Sequence, residues 1–99
     1  MYLKNKTVLI TGGASGIGKI MGRKSLERGC KNLIIWDIDE LGSQKTKDEF
    51  SEIGGEIFIF KVDISNVDEI RINAQKVRTE IGKVDILINN AGIVVGKYF

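Results

Sequence analysis

Four short apolar runs rich in β-branched residues recur along the chain, at Thr7 to Ile10, Leu33 to Trp36, Ile57 to Phe60 and Val84 to Ile88. The runs are continuous rather than alternating, as in strands covered on both faces. Each pair is separated by enough residues for a helix, and this regular alternation predicts βαβ units on a parallel sheet. Between Ser65 and Gly82, the apolar residues Val67, Ile70, Ala74, Val77 and Ile81 advance by steps of 3 and 4, the helical period. Ser65 and Asp68 have the spacing of a capping box, and Gly82 suits a left-handed stop. An earlier helix is expected from about Gly16 to Arg28, with Ile17, Ile20, Met21 and Leu26 toward the sheet and Gly29 as its terminator. Between Glu40 and Ile53 only Leu41, Phe50 and Ile53 are large and apolar, and Gly42 lies near the start, so this helix is expected to be the least stable. There is no proline, repeat or low-complexity tract, and Gly54-Gly55 reads as a turn. Right-handed crossovers then give a doubly wound α/β sheet that ends after its fourth strand. Numbering strands along the chain, the expected order is 3-2-1-4, with a crevice between strands 1 and 4.

Composition narrows the function classes. A chain of 99 residues buries a modest core, and 42% apolar with 28% charged residues is ordinary for a folded globular protein. The net charge is only +2, with 15 basic residues interspersed among 13 acidic ones. No one-sided basic run exists, so nucleic acid is not an expected partner. Cys30 is the single cysteine and histidine is absent, which rules out an intrachain disulfide and any Cys/His metal cluster. Cys30 reads as a small buried hydrophobe, with a reactive thiol as the alternative. The three-residue apolar stretch after Lys4 and Lys6 falls short of the roughly 7 to 15 residues of a signal peptide and the roughly 18 of a membrane span. The expectation is a cytoplasmic chain with no membrane partner.

The chemistry concentrates in the loops after the predicted strands. Thr11 to Gly18 reads TGxxxGxG, directly after the first strand and opening the first helix. In such a loop Gly12 allows the tight turn, Gly16 the close approach of a pyrophosphate, and Gly18 the packing of helix on strand. The helix N-terminus offers free N–H groups and partial positive charge, and Ser15 can add a hydroxyl. A plain tight turn is the competing reading. Asp37 ends the second strand, 25 residues past Gly12 and 19 past Gly18. A carboxylate there can accept hydrogen bonds from both ribose hydroxyls of an adenosine and would repel a 2′-phosphate, which favours NAD over NADP. Ala14, in the loop position where a basic residue might neutralise that phosphate, agrees. The alternative role for Asp37 is a helix cap, which Asp39 could fill instead. After the third strand, Asp63 can accept from the adenine amino group while Ile64 covers the ring; a purely structural loop aspartate would look the same.

Together with Asn89-Asn90-Ala91-Gly92 after the fourth strand, these motifs resemble the short-chain dehydrogenase/reductase family over essentially the whole chain. The resemblance implies a Rossmann-type fold in which residues 1–99 form the NAD(P)-binding half-domain. It implies that Asn89, Ala91 and Gly92 approach the ribose and nicotinamide side through their backbone, while Asn90 ties the central sheet together. Ile17 and Ile38 complete the candidate cofactor set. The implied activity is hydride exchange between a nicotinamide and a small alcohol or carbonyl substrate, with a Tyr whose pKa a Lys lowers. The family's Ser on strand 5, its Tyr-x-x-x-Lys and the Asn on the helix after NNAG have no counterpart here. Tyr2-Leu3-Lys4-Asn5-Lys6 has the right spacing but precedes the first strand, and Tyr98 has no residue four positions later. No catalytic residue and no metal ligand is therefore assigned, and cofactor binding without turnover is expected. The alternative is a non-catalytic nucleotide-binding module or assembly fragment that needs a complementary half. In that case Val84, Ile86, Leu87 and Ile88 would form an apolar edge open to self-association. A methyl-donor-binding fold also uses a glycine loop and an acid after strand 2, but the Thr11-led loop and NNAG argue against it.

Overall fold

The computed structural model describes residues 2–92. Tyr98 and the stretch 93–99 as a whole lie outside the described residues. Strands β1 (Thr7–Thr11), β2 (Asn32–Asp37), β3 (Glu56–Lys61) and β4 (Ile86–Asn89) alternate with helices α1 (Gly16–Glu27), α2 (Glu40–Phe50) and α3 (Val67–Glu80). All pairings are parallel and the sheet order is β3-β2-β1-β4, as the sequence predicts. The two central strands are buried on both sides, which explains their unbroken apolar character. Val8, Ile10, Leu33, Ile35 and Ile57 share one face with Leu26 of α1 and Phe50 of α2. Leu9, Ile34 and Trp36 face the other way, against Ile70, Ala74 and Val77 of α3. Each such side chain taken from water contributes about 1.5–3 kcal/mol, so the core is the sheet's two faces rather than any one helix.

Four local expectations are revised. The face that α1 turns to the sheet is Gly18, Gly22, Ser25 and Leu26. Ile17, Ile20 and Met21 remain 67%, 55% and 38% exposed. Both sets fit the helical period, and the smaller one is buried because α1 lies so close to β1. A Cβ on Gly18 would run into the Gly12 carbonyl and stand 2.7 Å from Asn90 Nδ2. One turn further, a Cβ on Gly22 would meet only side-chain ends, Leu33 Cδ2 at 3.3 Å and Ile10 Cδ1 at 3.7 Å.

The α3 cap sits one residue later than expected. Asn66 accepts from the Glu69 N–H at 3.2 Å, because the Ser65 hydroxyl is donated to Asp63 Oδ1 at 2.6 Å. Helix α2 starts behind Asp39, which accepts from the Gly42 N–H at 2.9 Å, and ends at Phe50 rather than Ile53. Strand β4 begins at Ile86 instead of Val84; Asp85 accepts from the Thr7 N–H at 2.9 Å and returns its own N–H to the Thr7 carbonyl at 2.9 Å. Gly29 (φ +85°) and Gly82 (φ +123°) stop α1 and α3 as expected.

Residues 2–6 form turns, with Lys4 bridging antiparallel to Cys30, so the Tyr2-to-Lys6 spacing is not on a helix. The Lys6 carbonyl accepts from Lys31 and Asn32, at the opposite end of the sheet from the glycine loop. Cys30 is 2% exposed, and burial pushes its thiol up to about 11, which makes it the inert hydrophobe of the two readings.

The contrast between the two helix glycines is testable. Gly18→Ala is expected to cost about 3 kcal/mol or more in chemical denaturation, because backbone rather than a flexible side chain must move. Gly22→Ala should shift stability by less than about 1 kcal/mol, since gained helix propensity offsets a tight contact. Equal effects would mean that α1 does not rest on β1 at Gly18.

Candidate dinucleotide site

The site grows from the C-terminal ends of the parallel strands. The Gly12 N–H donates to the Trp36 carbonyl at 2.8 Å, extending the β1–β2 pairing one residue past β1. Gly12 then turns the chain with φ +71°, where a Cβ would meet Ala91 Cβ at 2.9 Å. Ala14 is held at both its polar groups: its N–H donates to Asp37 Oδ2 at 3.1 Å, and its carbonyl accepts from the Thr46 hydroxyl at 3.1 Å. Ser15, Gly16 and Ile17 face solvent, and a Cβ on Gly16 (φ +56°) would have open space around it.

The start of α1 is electrostatically unlike the other two. Its N-cap Ser15 makes no side-chain capping bond and its first turn holds no acid. By contrast α2 has Asp39 and Glu40, and α3 has Asn66, Asp68 and Glu69. The first-turn N–H groups of α1 therefore keep their partial positive charge uncompensated by side chains, beside an open surface.

Strand β4 is tied to this loop by side chains. The Thr11 hydroxyl donates to Asn89 Oδ1 at 3.0 Å and accepts from the Ala91 N–H at 3.2 Å. Asn90 Nδ2 donates to the Gly12 carbonyl at 3.2 Å, so Asn90 joins the end of β4 to the glycine loop rather than bonding within the sheet. On the other side, the capping role next to Asp37 falls to Asp39, and Asp37 is not a helix cap. Its carboxylate accepts one N–H on each oxygen, from Asp39 at 2.9 Å and from Ala14. Asp63 accepts from both the hydroxyl and the N–H of Ser65, and these bonds hold its carboxyl below the ordinary range.

Gly12, Asp37, Ile38, Asp63, Ile64 and Ala91, all singled out from the sequence, line one cavity of about 150 Å³. The buried Trp36 and Val62 complete its lining and had not been singled out. Ser15, Gly16 and Ile17 lie at the start of α1, Gly18 is buried beneath them, Asn89 ends β4, and Gly92 stands against Ile64. Ala14 is corrected: at 6% exposure it offers no room for a basic side chain, and the first loop position open to solvent is Ser15. Thr11 and Thr46 were missed as supports. Only the sheet register reveals the first, and only a contact across 32 residues the second.

An uncapped helix start, an unfilled surface over Gly16 and a cavity with a carboxylate at its rim suit a phosphate-linked nucleoside. No cluster of three or more metal-ligating side chains occurs among the described residues. No helix among them is long and apolar enough to cross a membrane.

Comparison with known proteins agrees with this geometry. The family model described as short chain dehydrogenase matches residues 6–99. Human short-chain dehydrogenase/reductase 3 is 38% identical over 95 residues, covering 96% of this chain and 32% of that protein. The 3beta-hydroxysteroid dehydrogenase 2 of Eggerthella lenta is 39% identical over 92 residues, covering 93% and 35%. Among solved structures, a metagenomic short-chain oxidoreductase in complex with NADP superposes with TM-score 0.86 at 29% identity, over 94% of this chain and 42% of that one. A hydroxysteroid dehydrogenase from Escherichia coli gives TM-score 0.83 at 34% identity, over 92% and 38%. The chain thus spans about a third of the length of these curated relatives. With its strand order, its glycine loop and the match over residues 6–99, the chain belongs to the short-chain dehydrogenase family.

Proposed function

We propose that residues 1–99 form the NAD-binding half of an oxidoreductase that exchanges a hydride between nicotinamide and an alcohol or carbonyl. The observation that carries this reading is the uncapped, acid-free start of α1 beside the cavity rimmed by Asp37. In it, Gly12, Ser15, Gly16, Ile17 and Gly18 form the pyrophosphate cradle, and Asp37 with Ile38 receives the adenosine ribose. Asp63 and Ile64 take the adenine, and Asn89, Ala91 and Gly92 line the path to the nicotinamide. The dinucleotide supplies the hydride chemistry, and these residues bind and orient it. NAD is favoured over NADP in this reading because the Asp37 carboxylate, taken as the ribose ligand, would repel a 2′-phosphate, and no basic side chain occupies positions 12–18 of the loop. The related metagenomic oxidoreductase was solved with NADP, so the preference argued here rests on this chain's own Asp37 and its loop without a basic side chain.

The open edge of β4 favours a second, compatible reading. Among the described residues, Ile86, Leu87 and Ile88 of β4 are half-buried with no strand on their outer side. An apolar groove of about 290 Å³ beside them is lined in part by Leu3, Val8, Met21, Ile86 and Ile88. The opposite edge, β3, carries exposed Glu56 and Lys61 at its ends, the kind of charge that discourages strand addition. Self-association through β4 follows from this difference.

Calorimetry should find NAD binding more tightly than NADP. Asp37→Ala should weaken NAD by the worth of charge-assisted hydrogen bonds, about 1.5–3 kcal/mol or roughly ten- to a hundredfold, and narrow the gap to NADP. Equal affinity for both cofactors in the unmutated chain would remove Asp37 from the ribose site. Purified material of verified mass is expected to show no dehydrogenase turnover with any alcohol or ketone, and cofactor-dependent turnover would overturn that reading. Sedimentation at tens of micromolar should reveal oligomers that Leu87→Lys disperses; a stable monomer would count against β4 as an assembly edge.

A further inference from the structure

Helix α2 buries Ser43, Thr46 and Phe50, two hydroxyls and one large apolar side chain. A helix packed on a sheet ordinarily turns a wide apolar stripe to it. Among the described residues Ser43 Oγ has no hydrogen-bond partner, so this face of α2 gains little from polarity there. Thr46 is different. Its side chain is 1% exposed, and its hydroxyl donates to the Ala14 carbonyl, in the middle of the glycine loop.

The Ala14 carbonyl and the Ser15 N–H belong to one peptide group. That unit is planar and trans, so its C=O and N–H point in opposite directions. Holding the carbonyl inward, against α2, turns the Ser15 N–H outward, on the side where Ser15 and Gly16 meet solvent. On the other side of the same residue, Asp37 holds the Ala14 N–H, so neither peptide flanking Ala14 can flip without breaking a hydrogen bond.

We propose that Thr46 is a positioning residue for the phosphate cradle: through the Ala14 carbonyl it fixes the outward direction of the Ser15 N–H, which then donates to the pyrophosphate of the bound dinucleotide. This rests on the dinucleotide reading above. It also adds a requirement to it, because a residue of α2 that touches no ligand becomes part of phosphate recognition.

The test compares the 99-residue chain with its Thr46→Val and Thr46→Ser variants. NAD binding is read by calorimetry and adenosine binding by nitrogen-15 chemical-shift titration. Thr46→Val removes the hydroxyl and keeps the shape, and should weaken NAD about five- to twentyfold, the loss of one hydrogen bond. Thr46→Ser keeps the hydroxyl and should hold NAD affinity within about twofold. Adenosine carries no phosphate, so its affinity should stay within about twofold in every variant. A loss shared equally by adenosine and NAD would show that Thr46 only supports the fold, and unchanged NAD affinity in Thr46→Val would equally overturn the proposal. If Thr46→Val does not fold, Thr46→Ala takes its place, with the same outcomes expected. Should the unmutated chain bind neither NAD nor NADP, the dinucleotide reading itself falls and the proposal with it. NAD binding by the unmutated chain separates that failure from a failure confined to Thr46.

Discussion

The approach of α1 to the exit of β1, permitted by the missing side chain at Gly18, is the constraint on which the rest depends. With a Cβ there, the helix would meet the Gly12 carbonyl and the Asn90 amide. Because it rests so close, the helix buries small residues and leaves Ile17, Ile20 and Met21 outside. The same closeness sets α1 against the turn at Gly12, which lines the cavity together with Asp37 and Asp63. Packing and site are therefore one arrangement. A change that pushed α1 outward would alter the core and the electrostatics of the cavity together.

Charge acts here through the backbone rather than between side chains. The ion pairs Lys19 with Glu49 and Arg23 with Glu27 are substantially exposed, and such pairs contribute about 0–1 kcal/mol. The carboxylates that matter accept from the backbone. Asp85 secures the entry of β1, Asp39 starts α2, and Asp37 joins the end of β2 to the glycine loop. Asp63 keeps its bonds to Ser65 throughout the neutral range. Because its carboxyl is held below the ordinary value, that contribution is present above the usual carboxylate pKa and is lost only on acidification through the lowered one.

Much of this architecture was legible because strands covered on both faces leave unbroken apolar runs, and four such runs separated by helix-length stretches leave few topologies. The ends of the strands were legible for a related reason. In a parallel sheet the chemistry gathers where the strands stop, and Asp37, Asp63 and Asn89 each stand at or just beyond a strand end. What misled was periodicity on α1. A helical period identifies faces but not which face is pressed closest, and the glycines that decide this carry no hydrophobic signal. The cap of α3 moved by one residue because Asp63 competes for the Ser65 hydroxyl, a competition that no spacing records. Ala14 looked like the loop position from which a basic side chain could reach a 2′-phosphate and is instead buried, since the direction of a loop side chain follows from backbone geometry. Thr46 left no mark at all: a threonine in a helix has the same letter whether it faces water or holds a carbonyl.

The first half of the glycine loop is fastened at three of its four residues. Thr11 is joined to Asn89 and Ala91, Gly12 to Trp36 and Asn90, and Ala14 to Asp37 and Thr46. Conformational entropy that a mobile loop would lose on meeting a ligand has thus already been lost when the chain folds. At those three positions the shape of the loop is set by folding itself and not by any later encounter.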